Sequence, residues 1–147
     1  MTLKEQLNDA MKAAMKARDN LRLSAVRMAR AAISNREIDS RTELDDNAVV
    51  EVISTMVKQR RESIRMYREG NRLDLAEKEE LELAVLLEFL PVQLSPDEID
   101  TLVSRIILDL EAHGIKDMGR VMKAVAPLTA GKADGKVVSD AVRRLLA

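Results

Sequence analysis

There is no cysteine and no tryptophan in this chain of 147 residues, and only one tyrosine, one phenylalanine and one histidine. Each absence excludes something. Without cysteine there are no disulfides, no thiolate metal sites and no cysteine nucleophile. With Tyr67 and Phe89 as the only aromatics, the core has to be aliphatic. A reader of single strands, which stacks bases on aromatic rings, lacks its main tool. His113 has no histidine or cysteine partner for a metal, so neither metal nor other cofactor is expected. No apolar stretch approaches the roughly 20 residues that cross a bilayer. The start, MTLKEQLNDAMK, has no apolar run of the signal-peptide kind. These absences predict a soluble, cytoplasmic protein with no membrane partner.

What is present is helix-forming. The chain is 46% hydrophobic and 33% charged, a balance that suits amphipathic helices with solvated outer faces. Net charge is −1, which argues against strong general affinity for nucleic acid. The charge is uneven, however. Residues 1–36 hold eight Lys/Arg against three Asp/Glu, and residues 74–88 hold one Lys against six Asp/Glu.

Apolar residues recur at three and four throughout, and no strand pattern competes. Thr2 and Glu5 form a capping box ahead of Leu3, Leu7, Met11 and Ala14. Asp19 and Asn20 mark a break. A second helix, about 21–38, carries Ala25, Val26, Ala29 and Ile33, flanked by Arg22, Arg27 and Arg30. A third, about 47–69, carries Val49, Val50, Ile53, Met56, Val57, Ile64 and Tyr67. Gly70 and Asn71 supply its left-handed stop. A fourth, about 73–90, places Leu73, Ala76, Leu81, Ala84 and Leu87 on one side and ends at Pro91. The short turn between the third and fourth makes them an antiparallel hairpin.

PVQLSP, residues 91–96, reads as a stiff joint. It divides the chain into a four-helix domain, 1–92, and a three-helix domain, 93–147. Ser95 and Glu98 form a second capping box with Pro96 at the first helical position. The helix that follows carries Ile99, Leu102, Val103, Ile106 and Leu110 and stops at Gly114. Asp117 then caps a sixth helix with Met118, Val121, Met122 and Val125 inward, ended by Pro127. Gly119 lies beside that apolar face, where a neighbouring backbone has room to approach. Asp134 caps the seventh, with Val138, Ala141, Val142 and Leu145 inward. The fold class is all-α.

Two sets of cations are candidates for binding. Lys58, Arg61, Arg65, Arg68 and Arg72 repeat at three and four along one face of the third helix and its end. Such a line suits phosphates spaced along a nucleic-acid backbone. The plainer alternative is a solvated face, or pairing with the acidic fourth helix, where Glu77, Glu79, Glu80 and Glu82 cluster. In the C-terminal domain Lys116, Arg120 and Lys123 lie opposite the apolar face of the sixth helix, and Lys136 and Arg143 point away from that of the seventh. Gly131-Lys132 invites comparison with a phosphate loop, but Ala126 and Ala133 stand where that motif needs Gly and Ser or Thr. Nucleotide hydrolysis is therefore not expected. A turn before a helix N-terminus still favours an anion, with Lys132 and Lys136 beside it. The plainer alternative there is an ordinary capped turn.

Three segments carry a resemblance. RLSAVRMARAAISNREI (22–38), NRLDLAEKEELELAVLLEFLPVQLS (71–95) and DMGRVMKAVAPLTAGKADGKVV (117–138) resemble the YqeY family in order and spacing over nearly the whole chain. The C-terminal half of that family is similar to the tail domain of GatB, a subunit of the glutamine-dependent tRNA amidotransferase. That tail helps hold the tRNA body. The resemblance implies a helical N-terminal domain, a three-helix tail, and tRNA or another structured RNA as partner. An aminoacyl-tRNA or amidotransferase complex follows as an extension. It also brings the label of a carbon–nitrogen ligase with glutamine as amido-N-donor. No Gly/Ser-rich stretch with Ser-Ser-Lys machinery occurs here, and the chain is too short for the kinase-like cradle of GatB. The matching part is the binding tail. Three readings stay open: an RNA-binding module, a protein–protein adaptor, and an accessory subunit of the amidotransferase.

Overall fold

The computed structural model describes Met1–Ala147 and contains seven α-helices and no strand. The chain forms two compact units, Met1–Pro91 and Val92–Ala147. No helix is long and apolar enough to cross a membrane.

The first unit holds α1 (Leu3–Ala17), α2 (Asn20–Ser40), α3 (Asp46–Glu69) and α4 (Leu73–Leu87). Thr2 and Glu5 close the capping box that starts α1. Asp19 and Asp45 cap α2 and α3 by accepting from Arg22 N and Ala48 N. The four apolar residues expected on α2 are all buried, against Leu7, Val49, Ile53, Val57 and Leu86. Burying a Val, Leu or Ile side chain contributes about 1.5–3 kcal/mol, so this aliphatic core replaces the aromatic one the composition denies. Two carboxylates stitch the helix ends together. Asp46 Oδ1 accepts from Leu3 N at 3.0 Å. Glu37 accepts from Lys4 Nζ at 2.7 Å and Leu44 N at 2.9 Å.

The rotation of α4 differs from the expected one. Leu73 is 61% exposed, Leu81 is 52% exposed, and Ala84 is exposed as well. The buried residues are Ala76, Glu82, Val85 and Leu86, followed by Phe89. The run LELAVLLEFL is apolar on two sides, so periodicity alone does not choose. A partner chooses: Arg60 is buried on α3, and Glu82 turns inward to meet it. The helix also ends at Leu87, three residues before Leu90.

Three helices end by one device. After α1, α3 and the helix α5 (Pro96–Asp109) of the second unit, Arg18, Asn71 and Glu111 take left-handed φ angles of 57°, 57° and 51°. In each case the next N–H reaches back five residues: Asp19 to Ala14, Arg72 to Tyr67 and Ala112 to Ile107. This is the Schellman arrangement, here built without glycine. Gly70, expected to share the left-handed stop, has φ −83° and is right-handed.

The second unit holds α5 (Pro96–Asp109), a single 3₁₀ turn (Ile115–Asp117), α6 (Met118–Thr129) and α7 (Gly135–Leu146). The three helices pack mutually around Val103, Val121, Val125, Val138 and Val142. The Ser95–Glu98 capping box with Pro96 starts α5 as expected. The helix stops at Asp109 and not at Gly114, because Glu111 turns left-handed first. Pro127 lies inside α6, whose end is Thr129. A proline in the last turn forfeits one ladder bond only, the one to Lys123 O, and the hydroxyl of buried Thr129 donates to Val125 O one turn back.

Candidate nucleic-acid interface

The C-terminal cations begin at the 3₁₀ turn. Lys116, Arg120 and Lys123, at i, i+4 and i+7, are all exposed on the side of α6 opposite buried Val121 and Val125. They are not equivalent. Arg120 Nη1 donates to Leu110 O at 2.9 Å, and Nη2 lies 3.5 Å from Asp117 Oδ2. Its guanidinium therefore ties α6 to the end of α5. Lys116 and Lys123 have no ion-pair partner and stand in solvent.

Asp117 does not cap α6 with its side chain. Its φ and ψ of −93° and 2° are not the extended values a capping residue needs. The carboxylate instead accepts from His113 N at 2.7 Å. That hydrogen bond, opposed by partial burial and aided by Arg120 and Lys116, holds its pKa below the ordinary aspartate value. Gly119, expected to admit a neighbouring backbone, faces open space.

Lys132 and Lys136 flank the turn into α7, and both are exposed without a carboxylate partner. The turn is built by the two most distinctive motifs of the chain. Gln93 Nε2 donates to Gly131 O at 2.7 Å, and Leu94 N donates to Lys132 O at 2.8 Å. The PVQLS joint and the GKADG turn are thus one hydrogen-bonded assembly, with Gly131 at φ 74°. Asp134 caps α7 by accepting from Lys136 N at 3.2 Å. Asp134 thus takes one N–H of the helix terminus, the capped turn that the sequence offered as the alternative to an anion site. What the turn offers an anion is its lysine side chains. Arg143 is 3.3 Å from Asp140 on the same helix.

The cation line of α3 is more than half paired. Arg65 binds Glu62 and Glu69 on its own helix at 2.9 and 3.0 Å. Arg68 pairs with Glu80 of α4, and Arg72 lies 3.5 Å from Asp74. Lys58 and Arg61 alone are exposed and unpaired. The acidic face of α4 answers α3, the alternative the sequence left open.

One residue of the same helix escaped the sequence reading. Arg60 sits at core spacing, three after Val57 and four before Ile64, and its side chain is 8% exposed. Its guanidinium meets Glu82 and, at 2.7 Å, Glu79, while Nη2 rests on Met28 Sδ at 3.2 Å. The signal was an arginine placed in an apolar stripe. No group of three or more His, Asp and Glu is arranged to hold a metal ion.

A sequence profile described as Yqey-like protein matches residues 4–146. Several curated fungal proteins are similar to this chain. Altered inheritance of mitochondria protein 41, mitochondrial, of Vanderwaltozyma polyspora is 39% identical over 81% of this chain and 66% of its own length. The protein of that name from Kluyveromyces lactis is 38% identical over 71% of this chain and 58% of its own. The Eremothecium gossypii one is 34% identical over 96% and 79%. The chain spans less than two thirds of the first two relatives. These names overturn the expectation of a cytoplasmic protein, since the relatives are designated mitochondrial. The features behind that expectation, no cysteine and no apolar run near Met1, bear on disulfides and secretion. They do not separate the cytosol from another reducing compartment.

Proposed function

The chain belongs to the Yqey-like protein family, and from that premise we propose that it is a non-catalytic helical protein that binds tRNA or another structured RNA through its C-terminal unit. The carrying observation is the set of exposed, unpaired lysines: Lys116 in the 3₁₀ turn before α6, Lys123 on α6, and Lys132 and Lys136 at the turn into α7. Ammonium groups free of carboxylate partners meet phosphates without first breaking an ion pair. The similarity of this half of the family to the GatB tail supports tRNA as the anion. With no aromatic in this unit, recognition rests on shape and phosphates and not on stacked bases. Arg120 and Arg143 serve less directly, since both already hold partners.

The test is direct binding of full-length protein to unfractionated tRNA at low salt, with Lys123→Glu and Lys132→Glu as variants. Both residues are exposed and unpaired, so folding is preserved and affinity falls. Wild-type protein that binds no tRNA at low salt sinks the reading.

A second reading rests on α4, where Leu73, Leu81 and Ala84 are exposed along one helix face. An adaptor for another protein would use such a stripe. A partner captured on wild type after nuclease treatment, and lost with Leu81→Lys, supports it. Addition to a purified amidotransferase with no change in rate or tRNA affinity removes the accessory-subunit version.

A further inference from the structure

We propose that the cleft between α1 and α2 is a binding site for a small amphipathic anion, a phosphate or carboxylate head on a short aliphatic body. The cleft has a volume of about 510 Å³, within the roughly 300–1,000 Å³ of small-molecule sites. Its wall on α1 is apolar, made by Leu7 and Met11, and Ile33 of α2 continues it.

The polar edge comes from α2. Arg27, Arg30 and Ser34 stand at i, i+3 and i+7, one above the other along the cleft. Both arginines are exposed, and neither has a carboxylate partner. Arg30 Nη1 lies across the cleft on Met11 Sδ at 2.7 Å. A thioether is a weak acceptor, and a guanidinium has five donors. The contact leaves Arg30 poised over an apolar surface with its charge unanswered.

The other charges of the cleft cancel. Lys4 and Glu37 bind one another at 2.7 Å, leaving the lining with the charge of the two arginines. An anion entering here gains charge-assisted hydrogen bonds from a fork that suits carboxylate and phosphate alike. No aromatic side chain lines the cleft. The ligand's apolar part is therefore a flexible aliphatic chain and not a nucleobase. The site lies in the N-terminal unit and uses none of the lysines assigned to RNA, so the two readings stand or fall separately.

Methionine-methyl NMR of the full-length protein tests this, because Met11 lines the cleft while Met118 and Met122 belong to the other unit. Titration with hexyl phosphate and with hexanoate is expected to shift Met11 saturably and leave Met118 and Met122 in place. The tighter of the two identifies the head group. Hexanol and inorganic phosphate each lack half of the ligand and are expected to bind at least about tenfold more weakly. The double variant R27Q/R30Q, with Met56 unmoved as a check on the fold, is expected to weaken the better anion about tenfold or more. No Met11 shift with either anion overturns the proposal. So does unchanged affinity in the double variant, or hexanol binding as well as the anions.

Discussion

Arg60 of α3 and Glu82 of α4 form an ion pair in which the two side chains are 8% and 7% exposed. Few other polar groups of the first unit are so deeply placed, and this one sets which face of α4 looks inward. Removing Arg60 leaves the buried Glu82 carboxylate alone, which costs about 3–5 kcal/mol. Arg60→Met is expected to lose that much in urea unfolding, and Glu82→Ala less, because Glu79 still holds the Arg60 guanidinium. The double variant R60M/E82L, apolar on both sides, is expected to recover most of it. Tyr67, the only tyrosine, reports on this unit through its fluorescence.

Glu111 occupies a left-handed position that glycine adopts without steric cost. Glu111→Gly is expected to raise stability by about 0.5–1 kcal/mol, since a side chain at such an angle costs about 1–2 kcal/mol and glycine loses part of the gain to chain entropy. Gly114, at φ 74°, is the reverse case, and Gly114→Ala is expected to destabilise by about 1 kcal/mol. Thermal melting followed by circular dichroism measures both.

Gly119 is helical and meets nothing within 4 Å of an added Cβ. Alanine there fits without displacement and restricts the unfolded chain. Gly119→Ala is expected to stabilise by about 0.5–1 kcal/mol. A loss of RNA affinity in this variant with no loss of stability would show that bound RNA comes as close as the backbone of α6.

Glu37 is held below the ordinary glutamate pKa, first by the hydrogen bond from Lys4 and then by that from Leu44 N. Lys4 is raised in turn, chiefly by Glu37. A depressed carboxylate stabilises the fold above its unfolded pKa, and that stability is lost as pH falls through the depressed value. At the alkaline end, the contribution of Lys4 is lost as pH rises through its raised value. Lys4→Gln is expected to return the Glu37 pKa toward normal and to flatten both limbs. Carboxyl-carbon NMR reads the first effect and pH-dependent melting the second.

Each lysine that meets a phosphate releases a counterion, so the slope of log affinity against log salt counts contacts. Lys116, Lys123, Lys132 and Lys136 are each expected to contribute about 0.7–0.9 to that slope, the range from single-strand to duplex geometry. Lys123→Gln and Lys132→Gln each reduce it by about that amount. Arg65→Gln is expected to leave it unchanged, because Glu62 and Glu69 already hold that cation.

The outward cations of α6 and the turn before it were legible because helical spacing alone assigns them a side: Lys116, Arg120 and Lys123 oppose Val121 and Val125. Their standing was not legible, because it depends on atoms distant in sequence. Arg120 is tethered by Leu110 O, ten residues away, while Lys123 is free. The same holds for α3, where spacing aligned five cations and Glu80 of α4 took one of them. The Arg27–Arg30 edge could be seen flanking α2, but a cleft needs α1 beside it.

By itself the sequence determined what local chemistry determines. Capping boxes at Thr2 and Ser95, the inward residues of α2, and an all-helical aliphatic build follow from spacing and hydrogen-bonding capacity within a few residues. Tertiary structure decided whatever had two locally equal solutions. The rotation of α4 is one, because its leucines lie on both sides and only a buried Arg60 distinguishes them. The GKADG turn is another: its carbonyls find their donors in Gln93 and Leu94, 38 residues away. Hydrogen-bond partners so far apart in the chain meet only after the helices between them have packed.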